Sequence, residues 1–323
     1  MTTGPDSRPD SSPVRAVFLG SGGFGVESLT RLSEAPEIEL VGVVTAPARP
    51  AGRKQQLTAT PIQGVAEGLG VPAILTPSRL RSPESVAAVL DLQPALLVLA
   101  DYGQIVPQSL LGLRHGALNL HPSLLPRHRG ATPIPAAILA GDAETGVTLM
   151  RMDAGLDTGP VVAQVREAID GTETAPALEA RLAMSAGALL AATLGGWLRD
   201  EIAPSPQPTD GASLTRPLRR DDGRLDPALP AATLERQVRA YIPWPGSFVD
   251  IETSGRLIVE AATEHSSEPG DVAGRLVAHG EGLALATADG RLVLTRVRPA
   301  GRTSMTAAEL RRGAPGLVGS LVR

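Results

Sequence analysis

The sequence predicts an α/β protein in which a doubly wound, mostly parallel sheet is followed by a small OB-like β-barrel. Two observations carry this prediction. Through the first two-thirds of the chain, short continuous apolar runs alternate with stretches of helical spacing, as in parallel sheets covered on both faces. Beyond the proline-rich segment at residues 203–213, short strand-like runs follow one another, which indicates a small barrel.

Continuous hydrophobicity marks the buried strands of the parallel sheet, and helical spacing marks the segments between them. The strands predicted in this way are residues 16–20, 40–45, 73–76 and 95–100, and residues 116–120 and 145–152 continue the strand pattern. The predicted helices are residues 26–32, 61–68, 83–92 and about 175–199. This alternation is a repeated β–α–β unit, which aligns the carboxyl ends of the strands at one edge of the sheet.

The predicted C-terminal domain consists of one helix followed by a series of short strands. The helix is predicted at residues 234–241 and ends before the prolines at 243 and 245. The predicted strands are residues 249–253, 256–262, 275–279, 283–287 and 291–297, with Asp289 and Gly290 as a hairpin turn. We therefore expect four parts: a disordered extension at 1–13, a catalytic domain at 14–202, a linker at 203–213 and a C-terminal domain at 214–323.

The composition excludes several classes of protein. With 42% hydrophobic and 20% charged residues, the chain is neither disordered nor collagen-like. It has no cysteine, so disulfides and zinc–thiolate sites are excluded. Because we find no export signal and no run of about 18 apolar residues, we expect a cytoplasmic protein without a membrane contact. The net charge of −4 argues against a general polyanion binder.

A glycine-rich turn follows the first predicted strand. Residues 20–25 read Gly-Ser-Gly-Gly-Phe-Gly and satisfy G-x-G-x-x-G between a strand and a helix, the dinucleotide fingerprint. The second predicted strand lacks the acidic residue that would bind a ribose, although Arg49 or Arg53 could bind the 2′-phosphate of NADP. An NADP-dependent dehydrogenase is therefore one open alternative, and a turn that lets a helix approach its strand is the other.

Residues 119–130 (NLHPSLLPRHRG) carry the strongest chemical signal. Asn119 and His121 are two positions apart, so on a strand their side chains share a face at the ligand-binding edge of the sheet. An amide and an imidazole together can stabilise an oxyanion, and a histidine can also move a proton. Asp157 lies in a glycine-flanked turn, from which its carboxylate could orient His121.

A metal site at His115, His121 and His128 is the competing interpretation of these histidines. Their spacings fit neither H-x-x-x-H nor H-E-x-x-H. We therefore predict no metal. Because no nucleophilic serine or cysteine is required, the pattern favours direct transfer between two bound substrates.

Four segments together resemble the 10-formyltetrahydrofolate-dependent formyltransferases: residues 100–107 (ADYGQIVP), 119–130, 141–146 (GDAETG) and 148–159 (TLMRMDAGLDTG). Residues 49–53 (RPAGR), 243–246 (PWPG) and 299–319 extend the resemblance, specifically to the methionyl-tRNA formyltransferase family. The resemblance runs from about Arg15 to the C-terminus. It implies a Rossmann-like formyltransferase domain and formyl transfer to initiator methionyl-tRNA.

The resemblance also implies which residues act. The implied catalytic residues are Asn119, His121 and Asp157. The residues implied to bind the co-substrate 10-formyltetrahydrofolate are Ala100, Tyr102, Gly103, Ile105, Ser123, Leu124, Leu125, Pro126 and Asp153. The residues implied to bind tRNA are Arg49, Arg53, Lys54, Arg216, Arg219 and Arg220. The expected protein is a monomer.

The chain departs from the family pattern at several places. The first loop of the family commonly reads G-T-P-x-F-A where this chain has residues 20–25, and a lysine pair is often found where it has Gln55 and Gln56. The usual linker lysine corresponds to Arg216. These changes bear on tRNA binding more than on the chemistry. Two further alternatives remain open: a formyltransferase acting on an amino-sugar nucleotide, and a tRNA-binding protein without activity.

Overall fold

A computed structural model describes residues 12–51, 56–252 and 254–322 of the chain. Two compact units share these residues. The first unit falls within Met1–Arg129, Gly146–Glu167 and Ala180–Ser213, and the second within Gly130–Thr145, Ala168–Glu179 and Leu214–Arg323. The second unit thus includes two short segments that the sequence assigns to the catalytic domain. The domain boundaries inferred from the sequence remain a prediction.

The first part of the chain alternates strands and helices. The strands are β1 Val14–Gly20, β2 Ile38–Val44, β3 Arg49–Ala51, β4 Gln56–Thr58, β5 Ile74–Leu75, β6 Leu96–Ala100, β7 Ala117–His121, β8 Arg129–Gly130, β9 Glu144–Arg151 and β10 Val161–Ala168. The helices are α1 Gly25–Glu34, α2 Pro61–Gly68, α3 Pro83–Leu90, α4 Gln108–Leu111, α5 Pro133–Ala140 and α6 Ala175–Leu198. Thr60 and Ser82 begin α2 and α3, and each hydroxyl accepts a hydrogen bond from a backbone N–H of the first turn.

The central sheet has seven strands in the order β10–β9–β7–β6–β1–β2–β5. The strands from β7 to β5 run parallel, and β9 pairs antiparallel with β7. Both β1 and β6 are almost wholly buried, because helices cover both faces of a sheet of this kind. The predicted doubly wound, mostly parallel sheet is confirmed.

The strands β3 and β4 lie between the predicted strand at 40–45 and the predicted helix at 61–68, where the sequence predicts no element. Arg49 pairs with Thr58 and Ala51 with Gln56 in a short antiparallel ladder. The polar composition of this segment offers no apolar alternation, so periodicity does not predict the hairpin. Its backbone groups are instead satisfied by pairing with each other.

The last part of the chain forms a mostly antiparallel sheet with helices. Its elements are β11 Leu214–Thr215, α7 Ala231–Ala240, β12 Ser247–Ile251, β13 Gly255–His265, β14 Leu276–His279, β15 Gly282–Ala286, β16 Arg291–Pro299, β17 Met305–Thr306 and α8 Ala307–Gly313. The sheet order is β12–β13–β16–β15–β14, and β17 pairs with β16. The predicted β domain is confirmed, with a sixth short strand and a final helix that the sequence does not predict.

Residues 319–322 bond to both outer strands of this sheet. The N–H of Glu252, directly after β12, donates to the carbonyl of Leu321 over 3.2 Å. The N–H of Leu276 in β14 donates to the carbonyl of Ser320 over 2.9 Å. The segment therefore lies between the two edge strands, where unpaired backbone groups would otherwise remain.

Helix α6 is long and apolar enough to cross a membrane by length and composition, and 44% of its most apolar window is buried. Leu182, Leu190 and Leu194 are buried at helical spacing, and the indole N–H of Trp197 donates to the carbonyl of His115 over 3.0 Å. A helix with this burial pattern is typical of a protein core. The absence of a membrane contact remains a prediction.

Candidate active site

The candidate site lies at the carboxyl end of β7, in the first unit. Asn119 and His121 alternate with Leu118 and Leu120 along the strand, so the two polar side chains share one face. His121 is buried, with 5% of its surface exposed, whereas Asn119 is half-buried. Within the described residues no hydrogen bond engages the Asn119 amide, which leaves its N–H groups as donors for a ligand.

The two ring nitrogens of His121 face different partners. The Nε2–H donates to the carbonyl of His128 over 2.9 Å, because a carbonyl oxygen can only accept. In the neutral ring Nδ1 therefore carries a lone pair, and it lies 3.7 Å from Oδ2 of Asp157. A lone pair and a carboxylate cannot hydrogen-bond until a proton enters between them. A proton that binds to Nδ1 is therefore held between the ring and the Asp157 carboxylate.

Burial lowers the pKa of His121, and the charges and hydrogen bonds of Asp157 and His128 change the size of this shift. Asp157 and the carbonyl of His128 both favour the charged ring, whereas the His128 side chain opposes it. Because the pKa of His121 is lowered from its ordinary value, the imidazole is neutral at physiological pH and can accept a proton.

The turn that carries Asp157 is built from local hydrogen bonds. Asp157 has a φ of +52°, in the left-handed region that is uncommon for a residue with a side chain. One Asp153 carboxylate oxygen accepts from the N–H of Gly155 over 2.9 Å and from the hydroxyl of Thr158 over 2.8 Å. A Cβ on Gly159 would lie 1.9 Å from the carbonyl oxygen of Arg151, so only glycine fits there.

The turn after β7 is fixed by residues that the sequence analysis does not single out. The hydroxyl of Thr148 donates to the carbonyl of Ser123 over 2.7 Å and accepts from the N–H of Leu125 over 3.1 Å. The amide of Gln164 donates to the Thr148 hydroxyl over 2.8 Å. These contacts hold the chain between His121 and His128 in place. Local sequence offers no signal for them, since their partners lie far along the chain.

The glycine-rich turn is explained by close packing. A Cβ on Gly20 or Gly25 would lie 2.7 or 2.9 Å from the carbonyl oxygen of Ala100, so these glycines let β1 and α1 approach β6. A Cβ on Gly22 would lie 1.6 Å from a carboxylate oxygen of Asp101. A carboxylate beside this turn repels a pyrophosphate, and the dinucleotide alternative is therefore not favoured.

Two family models match the chain. Residues 14–194, more than half of the chain, match the model described as formyl transferase, and residues 217–315 match the formyl transferase C-terminal domain. The chain belongs to the formyl transferase family. The predicted family resemblance is thereby confirmed.

Relatives within this family are similar over nearly their full length. A methionyl-tRNA formyltransferase of Halorhodospira halophila is 45% identical over 305 residues, which cover 93% of this chain and 96% of the relative. A methionyl-tRNA formyltransferase of Myxococcus xanthus is 42% identical over 312 residues, which cover 94% and 97% of the two chains.

Solved structures show the same formyl transferase fold at low identity. An N-formyltransferase from Helicobacter canadensis, in complex with folinic acid and dTDP-3-aminofucose, has a TM-score of 0.64 at 15% identity and covers 87% of this chain and 98% of that one. HypX from Aquifex aeolicus, in complex with tetrahydrofolic acid, has a TM-score of 0.63 at 18% identity and covers 93% and 47%.

The residues expected to bind the formyl donor in this formyl transferase differ in burial and fall into three groups. Gly103, Ile105 and Asp153 are exposed, and 72% of the Ile105 surface is accessible. Tyr102 and Leu124 are half-buried. The buried members of the set are Ala100, Ser123, Leu125 and Pro126. The Ser123 hydroxyl donates to the carbonyl of Arg127 over 2.7 Å, a contact that stabilises the turn.

Tyr102 is distinctive within this set. Burial raises the pKa of Tyr102 to about 12, and within the described residues its buried hydroxyl has no hydrogen-bond partner. Its ring packs with the apolar cluster on the β6 side of the sheet. A buried hydroxyl without a partner carries a desolvation cost that a ligand group could relieve. The role of these residues in donor binding remains a prediction.

The arginines expected to bind tRNA differ in their surroundings. Arg49 is exposed on β3, and Arg53 and Lys54 lie outside the described residues. Arg216 is held by Asp222 through two hydrogen bonds of 2.6 and 2.7 Å, and the N–H of Arg219 also donates to Asp222. This pairing lowers the pKa of Asp222 to about 2.

Arg220 lies over an exposed aromatic ring. Its guanidinium carbon is 5.9 Å from the ring centroid of Trp244, of which 52% of the surface is accessible. A guanidinium against an exposed indole is a surface on which a base could stack. Charge alone does not decide this role, so the tRNA contacts of the arginines remain predictions.

No group of three potential metal ligands is found among the residues that the structure describes. His121 and His128 are instead joined by the hydrogen bond between ring and carbonyl described above. The expectation that the enzyme uses no metal remains a prediction.

Proposed function

We propose that the chain transfers the formyl group of 10-formyltetrahydrofolate to the α-amino group of initiator methionyl-tRNA. The observation that carries this proposal is the near full-length similarity to methionyl-tRNA formyltransferases, which covers both the site and the C-terminal sheet. The position of His121 at the end of a parallel strand, with Asp157 facing its ring, supports it, because ligands of such sheets bind there.

The proposed reaction needs two bound substrates and no covalent enzyme intermediate. The neutral amine nitrogen attacks the formyl carbon and forms the new C–N bond. The bond between that carbon and N10 of the folate then breaks, the amine nitrogen loses one proton and N10 gains one. Negative charge develops on the formyl oxygen before the old bond breaks, and donors that meet this charge accelerate the reaction.

Three side chains have distinct parts in this reaction. The Asn119 amide donates to the developing oxyanion, since no other hydrogen bond in the described chain engages it. His121 is neutral with Nδ1 facing Asp157, and it accepts the proton that the amine releases. The protonated ring then donates from Nδ1 to Asp157, and its positive charge adds to the stabilisation of the oxyanion. Asp157 stabilises the imidazolium that forms.

The remaining expectations concern how the substrates are held. The folate is expected to lie against residues 100–105 and the turn that carries Asp157, where Ile105 and Leu156 expose apolar surface. The tRNA is expected to meet Arg49 and the arginines of residues 216–220. The protein is expected to act in the cytoplasm as a monomer.

The proposal is tested with labelled 10-formyltetrahydrofolate and purified protein. We expect label to appear on the α-amino group of methionyl-tRNA and not on a UDP-aminosugar. Transfer to the sugar nucleotide in place of the tRNA would assign the chain to the amino-sugar formyltransferases. A fluorescence titration with NADPH is expected to show no binding.

A further inference from the structure

Residues 205–213, which lie within the predicted linker, contact the turn that carries Asp157. The amide nitrogen of Gln207 donates to the carbonyl of Asp157 and to the carbonyl of Gly159, each over 2.8 Å. Its amide oxygen accepts from Nε and Nη2 of Arg129 over 3.0 and 2.6 Å. One half-buried side chain therefore uses both its donors on the turn of Asp157 and its acceptor on Arg129 of β8.

Neighbouring residues attach the same segment to the structure on both sides of Gln207. Ser205 and Val161 exchange two backbone hydrogen bonds of 2.7 and 2.8 Å. The hydroxyl of Ser213 accepts from the N–H of His128 over 2.8 Å, and its carbonyl accepts from the N–H of Arg129 over 2.9 Å. Residues 205–213 thus run along the first unit rather than away from it.

These contacts converge on the two groups that orient the imidazole of His121. The ring Nε2 donates to the carbonyl of His128, and Ser213 holds the backbone of His128. The ring Nδ1 faces Asp157, and Gln207 holds the carbonyl of Asp157. Since Asp157 has a φ of +52°, this conformation persists only if surrounding contacts fix it.

We propose that Gln207 is a positioning residue, which holds the turn of Asp157 so that the carboxylate stays at Nδ1 of His121. The proposal rests on the proposed function for the roles of His121 and Asp157. It extends that function to a residue that acts through the turn of Asp157. A misplacement of about 1 Å in a catalytic group typically costs roughly 10²-fold in rate.

Two variants separate the contacts of Gln207. Gln207→Leu removes all its hydrogen bonds at similar volume. Gln207→Glu keeps an acceptor for Arg129 and loses both donations to the turn. We expect kcat for formyl transfer to fall roughly 10²-fold in both variants, while KM for methionyl-tRNA and for the folate stays within about twofold. Asp210→Asn, an exposed change in the same segment, is the matched control and should keep the parental kcat.

A second readout does not depend on activity. The charge of Asp157 raises the pKa of His121, so withdrawal of that carboxylate should lower it further. We expect NMR titration of ¹³C-labelled histidine to give a lower His121 pKa in Gln207→Leu than in the parent and in Asp210→Asn. If Gln207→Leu does not fold, the kcat of Gln207→Glu alone tests whether the two hydrogen bonds from Gln207 to the turn of Asp157 are needed.

The outcomes are distinguishable. An unchanged kcat with an increased KM for methionyl-tRNA would overturn positioning and assign the segment to tRNA binding. A normal kcat in Gln207→Glu with a low kcat in Gln207→Leu would show that only the Arg129 contact matters, which also overturns it. If the parent protein does not formylate methionyl-tRNA, the proposed function fails, whereas the histidine titration still tests whether Gln207 holds Asp157 in place.

Discussion

Nδ1 of His121 lies 3.7 Å from Oδ2 of Asp157, and the two residues come from different segments of the first unit. The strand β7 supplies the imidazole, and the turn after β9 supplies the carboxylate. The separation is longer than a hydrogen bond, as expected while the proton that would join them is absent. Catalysis in the proposed reaction therefore depends on two turns holding their relative positions.

Replacing His121 with alanine should remove catalysis and leave binding. We expect His121→Ala to lower kcat for formylation by at least 10²–10³-fold, roughly the effect of losing one oxyanion donor. Binding of the folate, followed by calorimetry, should persist because the change lies in a buried ring and not in the exposed surface around Ile105. Near-parental turnover in this variant would remove His121 from the mechanism.

The burial of His121 should make stability depend on pH. Its pKa is lower in the folded protein than in the unfolded chain, so the unfolded state binds more protons as the pH falls below about 6.5. The free energy of unfolding should therefore decrease in that range, and it should decrease less in His121→Gln. Urea titrations of both proteins from pH 8 to pH 5 test this. Parallel curves would show that His121 keeps its ordinary pKa.

Adding one methyl group to the turn that carries Asp157 should affect both stability and activity. Gly159→Ala would place a Cβ 1.9 Å from a backbone oxygen, so the turn of Asp157 must shift. We expect a loss of about 1–3 kcal/mol in the free energy of unfolding, together with a large fall in kcat. Gly64→Ala, in α2 with nothing within 4 Å, is the control and should stabilise the protein by about 0.5–1 kcal/mol. An active, stable Gly159→Ala protein would contradict the geometry of the turn.

The exposed hairpin of β3 and β4 should act on tRNA alone. We expect Arg49→Ala to raise KM for methionyl-tRNA and to reduce the slope of log KM against log salt by roughly one, with kcat and KM for the folate unchanged. Arg199→Ala, a change at an exposed arginine paired with Glu201, is the control. The assigned role of the hairpin is lost if both variants respond alike to salt and tRNA concentration.

The pairing of Arg216 and Asp222 should be visible by titration. Arg216 and the N–H of Arg219 lower the pKa of Asp222 to about 2, so this carboxylate stabilises the fold at neutral pH and loses that effect between about pH 4 and 2. In Arg216→Ala the pKa of Asp222, measured by NMR, should rise toward its ordinary value. Addition of tRNA to the parent protein should raise it as well if phosphate displaces Asp222 from Arg216. An unchanged pKa in Arg216→Ala would show that the pair is not formed.

Much of the fold follows from local pattern. The apolar runs of β1 and β6 are continuous, and α2 begins at a proline after a threonine that caps it. Elements without such patterns are missed. The hairpin β3–β4 is polar, and β10 alternates half-buried with exposed residues beyond the parallel strands. Their pairing is decided by neighbours in space, which a local window does not contain.

The residues of the candidate site likewise divide into those that the sequence predicts and those that it does not. Asn119 and His121 can be paired from the sequence because strand alternation places them on one face. Asp157 can be proposed as their partner from its glycine-flanked turn after a predicted strand, and the resemblance to the family supports the pairing. Gln207 carries no signal at all, because its four hydrogen bonds reach residues far along the chain and its surroundings read as a polar, proline-rich connection.

Residues 319–322 have a consequence for the synthesis of the second unit. Strands β12 and β14 leave the ribosome before residues 319–322 do. Until these residues emerge, one edge of each strand lacks its hydrogen-bonding partner. Open edges of this kind are templates for pairing with other chains. The nascent protein therefore carries two open strand edges in the interval between completion of the strands and the arrival of the four residues that join them.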